Sequence, residues 1–271
     1  MSLLNRFVFI CSLSLFALGT GTSLAQAAPI ADKGDFVVAY PQPKKAEYRA
    51  LQTEFKDGKV LESMAEGLND AFALPRDITL EFKELGEANA YYDPNTRHIS
   101  LGYELIEDLR ELFAKTSKDE DVVLDRTINA TMFILCHELG HALIDVCDLP
   151  AVGKEEDAVD QLSFIMLSDS EDPNDKTNDN NKMVLDGAQA FLLLANRDET
   201  TLEQMSLWDD HSLSKQRFYN ILSLIYGSNP KKYAYMVQRK TLPADRAEGS
   251  EEEYARVSRA WGRLLAPYIK E

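Results

Sequence analysis

The chain has 271 residues with 29 Lys+Arg against 45 Asp+Glu, a formal net charge of −16 and 45% hydrophobic residues. That composition can bury a core, and it excludes intrinsic disorder and a multi-pass membrane protein. A surface this acidic also excludes nucleic acid or an anionic membrane as the main partner, because both need basic patches.

In chain order, residues 1–27 read first as a secretory signal peptide. Arg6 supplies a positive start, Phe7 to Leu18 form an apolar run, and Ala25-Gln26-Ala27 fits the small-x-small cleavage pattern. The run is far shorter than the roughly 20 residues that span a bilayer. Cys11 lies inside it, too early for a lipid attachment site. The expectation is an exported chain, periplasmic or extracellular, with no stable membrane insertion after cleavage and a mature net charge of −17, since Arg6 leaves with the leader. Residues 28–271 then form a single unit in two lobes, about 28–149 and 150–271. The remaining cysteines, Cys136 and Cys147, are expected to stay free although an oxidising compartment would let them pair. A chain this long has core enough without a staple.

Residues 29–45 read as an extended lead-in. Leu51, Phe55, Val60, Met64 and Leu68 give helical spacing over 48–72, with Asp57-Gly58 as a break. Ile78, Leu80 and Phe82 alternate with polar residues and predict a strand over 78–83. Residues 89–101 read as a hairpin around Pro94-Asn95. Helices follow at 103–115, 119–146 and 155–167. The stretch 168–181 reads as an exposed loop without the order of a calcium loop. Helices at 182–196, 213–227 and 251–265 complete the chain. The expected fold is α+β: a small mixed sheet in the N-terminal lobe, two central helices, and a helical C-terminal lobe.

The chemistry is concentrated in His137-Glu138-Leu139-Gly140-His141. Histidines four apart lie on one face of a helix, close enough for both imidazoles to reach one ion. Glu138 lies about 100° round the helix, placed as a base and not as a ligand. This is the H-E-x-x-H arrangement of zinc metalloproteases. The flanking residues, Thr131 to Cys136 and Ala142 to Ile144, are uncharged and mostly apolar, so the helix is expected to be buried. Buried histidines and a glutamate need partners or a metal, which disfavours a coincidental pattern.

Two residues compete as third ligand. Cys147 stands where the H-E-x-x-H-x-x-G-x-x-H pattern puts its last ligand, but Ile144 replaces the glycine that turns the chain there. Glu156 shares a helix face with Asp160, four residues on, so Glu156 can bind zinc while Asp160 accepts the outer N–H of a ligand histidine. Glu155 is the nearest rival by register, and an ordinary acidic helix start is the plain alternative.

The Glu-x-x-x-Asp layout beside H-E-x-x-H resembles the gluzincins, the thermolysin-like zinc peptidases. That resemblance implies that Asn89-Ala90-Tyr91-Tyr92 is an edge strand pairing with substrate backbone, with Asn89 and Ala90 as substrate-binding residues. It also implies that His211 steadies the oxyanion, with Arg217 and Tyr219 as rivals and helix capping as the plain alternative. More broadly, the chain resembles a bacterial family of zinc metallopeptidases known as a domain of unknown function. The likeness runs through 137–145, 153–161, 211–221 and Leu264-Leu265-Ala266-Pro267. The expected activity is hydrolysis of a peptide or protein substrate. One zinc ion per chain is held by His137, His141 and Glu156, with Asp160 behind and Glu138 as general base. The alternatives are a zinc-binding scaffold of the same fold without turnover, and hydrolysis of a non-peptide amide.

Overall fold

Among the described residues (29–168, 181–197 and 210–270 of the computed structural model), four strands pair in one sheet. They are β1 (Phe36–Ala39), β2 (Ile78–Lys83), β3 (Ala90–Asp93) and β4 (His98–Gly102), in the order β1-β2-β4-β3. β1 and β4 flank β2 in parallel, and β3 closes the sheet antiparallel to β4 as its edge. Ile78, Leu80 and Phe82 are buried, as their alternation requires. The expected lead-in at 29–45 thus contains a strand. Phe36-Val37-Val38-Ala39 is a short apolar run without polar alternation, so its pairing with β2 leaves no period-2 signal. The signal-peptide reading and the acidic loop at 169–180 lie outside the described residues.

Helices α1 (Ala46–Asp57) and α2 (Val60–Ala71) make the crossover from β1 to β2. They part at the expected break, where Lys59 adopts left-handed backbone at φ 53°. After β4 come α3 (Tyr103–Ala114) and α4 (Glu120–Val146). The Asp119 carboxylate caps α4 by accepting from the N–H groups of Asp121 and Val122. α4 is buried along most of its 27 residues and is flanked by α3, α5 (Glu155–Leu167) and α6 (Lys182–Arg197). The chain continues with α7 (Ser214–Ser228), α8 (Ala234–Gln238), α9 (Ala244–Ala247) and α10 (Ser250–Leu265). α8 and α9 were not expected; at five and four residues they are too short to show a helical period.

The chain end returns to the N-terminal half: Ile269 bridges Phe72, and the Tyr268 hydroxyl donates to the Cys147 carbonyl at 2.6 Å. Cys136 and Cys147 are both buried, and no disulfide joins them. No described helix is long and apolar enough to cross a membrane.

Candidate metal centre

The centre forms where α4 and α5 cross. Gly140 of the H-E-x-x-H turn makes the crossing close, since a Cβ there would lie 2.8 Å from Val159 Cβ on α5. The approach brings Glu155, Glu156 and Asp160 against the two histidines. His137 Nδ1 lies 2.9 Å from Asp160 Oδ1, and His141 Nδ1 lies 2.7 Å from Glu155 Oε1. Each outer nitrogen therefore faces a carboxylate, which fixes it as the N–H and leaves Nε2 free to bind.

Both Nε2 atoms turn towards Glu156. His137 Nε2 is 3.1 Å from Oε2 and His141 Nε2 is 3.4 Å from Oε1, while His211 Nε2 arrives at 3.0 Å from Oε2. Two ligands about 2.0–2.1 Å from a tetrahedral ion stand about 3.3 Å apart, so the His137 and His211 separations from Glu156 Oε2 fit a shared divalent cation, with His141 against the other oxygen. Glu156 Oε2 is itself buried, facing the His137 and His211 imidazole nitrogens. Imidazole and carboxylate donors of this kind suit zinc. Of the described residues, His137, Glu156 and His211 bring their ligating atoms within 4.8 Å of one another.

The electrostatics carry the same message. Burial alone would lower the His141 pKa, but Glu156 and Glu155 raise it to about 9. His137 is likewise raised, with Asp160 and Glu156 outweighing its burial. Burial would raise Glu156, yet the three histidines hold it far below the usual carboxylate range. Protons here supply the positive charge that a cation would supply.

Glu138 stands apart from this convergence. It is buried, and burial pushes its carboxyl up, helped by the charge of Glu156; His137, His141 and the Tyr92 backbone pull the other way. It lines a cleft of about 570 Å³ together with Ala90, Tyr92, His137, Glu156 and His211. The edge strand β3 forms one wall. Gly102 N–H donates to the Asn89 carbonyl at 2.9 Å, so Asn89 faces β4 and, by alternation, Ala90 and Tyr92 turn their backbone groups to the open edge. Of the two expected substrate contacts, the Ala90 backbone faces the edge with its N–H donating to Asn89 Oδ1 at 2.9 Å, and the Asn89 carbonyl accepts from Gly102. The Tyr92 hydroxyl donates to Asp145 Oδ2 at 2.6 Å and ties the edge strand to α4.

Cys147 lies outside the cleft. It packs into the hydrophobic core, where burial pushes its thiol up to about 12. The helix runs on past Ile144 to Val146 as expected without a glycine turn. Arg217, a rival for the oxyanion role, does not line the cleft and forks onto Asp160. Tyr219 packs edge-on against Phe218. Sequence reasoning missed the Arg217–Asp160 fork and the Glu155–His141 pair. The acidic triplet Glu155-Glu156-Asp157 held the only signal for the latter, and nothing local marked the former.

An H-E-x-x-H helix crossed by a carboxylate-bearing helix, beside a cleft with an open strand edge, defines a metal-dependent hydrolase of α+β fold. Residues 40–265 match the family model DUF4344, whose description reads "Putative metallopeptidase", and the chain belongs to that family. No curated protein and no solved structure matches the chain.

Proposed function

We propose that the protein is an exported, zinc-dependent metallopeptidase of the gluzincin type, acting on peptide bonds. One zinc per chain would be held by His137, His141 and Glu156, with Asp160 behind His137. The observation that carries the reading is the convergence of two N–H-fixed histidines on Glu156 while Glu138 is left free beside the cleft. Export rests on the residue pattern of 1–27.

Bound zinc would supply Lewis acidity, lowering the pKa of a water and polarising the scissile carbonyl. The remaining work falls to the chain's own residues. The outward carbonyls of Ala90 and Tyr92 on the β3 edge offer acceptors to an extended peptide along the cleft, while the Ala90 N–H is held by Asn89 Oδ1 and the Tyr92 backbone by Glu138. Glu138 takes the proton of the attacking water and hands it to the leaving amine, a task suited to a carboxyl raised by burial. His211, on the cleft wall, donates to the oxygen that gains charge. Digestion of a peptide library by the purified chain, with and without a chelator, tests this. Cleavage that stops with the chelator and returns with zinc is expected; chelator-insensitive cleavage overturns the reading.

One observation favours a second reading, the scaffold without turnover. His211 Nε2 sits as close to Glu156 as the two helix histidines do. A fourth protein ligand closes a zinc site, as in structural centres. In that case His211→Ala weakens zinc binding sharply; as an oxyanion residue its loss leaves affinity nearly unchanged and removes turnover.

A further inference from the structure

We propose that Arg217 is a positioning residue of the metal centre, which fixes Asp160, and through it His137, from the second lobe. The inference rests on the metallopeptidase reading above and goes one layer behind the ligands.

The guanidinium meets Asp160 with two donors, Nε to Oδ2 and Nη2 to Oδ1, both at 2.7 Å. This is the planar fork that Arg offers a carboxylate and Lys cannot. Asp160 is only 5% exposed, and a buried carboxylate needs a counter-charge. His137 gives it one hydrogen bond but no charge once it ligates as a neutral imidazole. Among the described residues, Arg217 is the cation that meets Asp160.

The fork also decides what His137 can do. Arg217 Nη2 lies 3.3 Å from His137 Nδ1, and both nitrogens converge on Asp160 Oδ1. A guanidinium only donates, and Asp160 only accepts, so the short Nδ1–Oδ1 contact requires the proton on Nδ1. Nε2 is then left to bind a metal. Arg217 is held in turn by the face of Phe191 on α6, 3.8 Å from its Cζ. It does not line the cleft, so it acts through Asp160 and not on substrate. The first residues of α7 thereby grip α5 at Asp160, while His211, just upstream, reaches Glu156 one turn earlier on α5.

The test uses Arg217→Lys, Arg217→Ala, Asp160→Asn and the Asp160→Asn/Arg217→Lys double variant. Zinc affinity is read by competition with a chromophoric chelator, the site by the visible bands of the Co²⁺-loaded protein, and folding by thermal unfolding of the metal-free chain. Arg217→Lys keeps the charge and loses the fork. It should weaken zinc binding about 10–100-fold and shift the Co²⁺ bands. The double variant should bind no more weakly than Asp160→Asn alone, because Arg217 works only through Asp160. A folded Arg217→Lys with wild-type affinity and bands overturns the inference, as do losses that multiply in the double variant. If Arg217→Ala does not fold, the lysine variant and the double variant decide. A wild type that takes up neither ion overturns the metallopeptidase reading itself, and this inference with it.

Discussion

Replacing Gly140 by alanine tests how the centre is assembled. Glycine inside a helix costs roughly 0.5–1 kcal/mol relative to alanine, so on an exposed helix the change would stabilise. Here the new methyl would stand 2.8 Å from both Cβ and Cγ1 of Val159, and 3.3 Å from its Cα. Carbon atoms settle about 3.5–4.0 Å apart, so α4 and α5 must separate by about 1 Å. Overpacking of this kind costs about 1–3 kcal/mol, which exceeds the gain in helix propensity. Val159 lies between Glu156 and Asp160, so both carboxylates move with it, whereas the site works over separations of 2.9–3.4 Å. Disturbing the groups that orient metal ligands costs about 10–100-fold in metal affinity. Gly140→Ala should therefore lower stability in denaturant by about 1–2 kcal/mol and weaken zinc binding by about 10–100-fold. Gly140→Ala/Val159→Gly, which removes the clash, should recover most of the zinc affinity. A more stable Gly140→Ala that binds zinc like wild type would refute the packing argument.

Zinc affinity should rise with pH, by about tenfold per unit for each imidazole that must lose a proton, and level off above pH 9. The same raised pKa stabilises the metal-free fold below the unfolded histidine value of about 6.5, and that stability is lost as pH rises through about 9. Melting of the metal-free chain across pH 6–10 should show the decline, and a flat profile would contradict it. Glu156→Gln should weaken zinc binding strongly while Cys147→Ser leaves it unchanged, because Cys147 lies in the core and Glu156 between the imidazoles. The reverse order in a chelator titration would refute the ligand set.

Much of this arrangement was legible in the sequence because helix geometry is regular. Residues four apart share a face, so His137 with His141 and Glu156 with Asp160 could be paired before any contact was known. The crossing that joins the two pairs was not legible, since Gly140 opposite Val159 is a tertiary contact. Register hid the rest of the edge strand. Whether Asn89 or Ala90 faces the open edge depends on how β3 pairs with β4, and alternation alone leaves both choices. Arg217 shows the same limit across a longer span. Its partner Asp160 is 57 residues away, and as a basic residue near the start of a helix it suggested a role towards substrate instead. β1 escaped notice for a local reason, four apolar residues having no period to read.

The most direct test of the central claim compares wild type with Glu138→Gln, both loaded with zinc, on one peptide library, with metal content measured on the same samples. Wild type and variant should each hold about one zinc per chain, since Glu138 stands apart from the converging Nε2 atoms. Wild type should cleave, and Glu138→Gln should lose cleavage by several orders of magnitude, because only the proton transfer is removed. A variant that holds its zinc and cleaves like wild type would contradict the account.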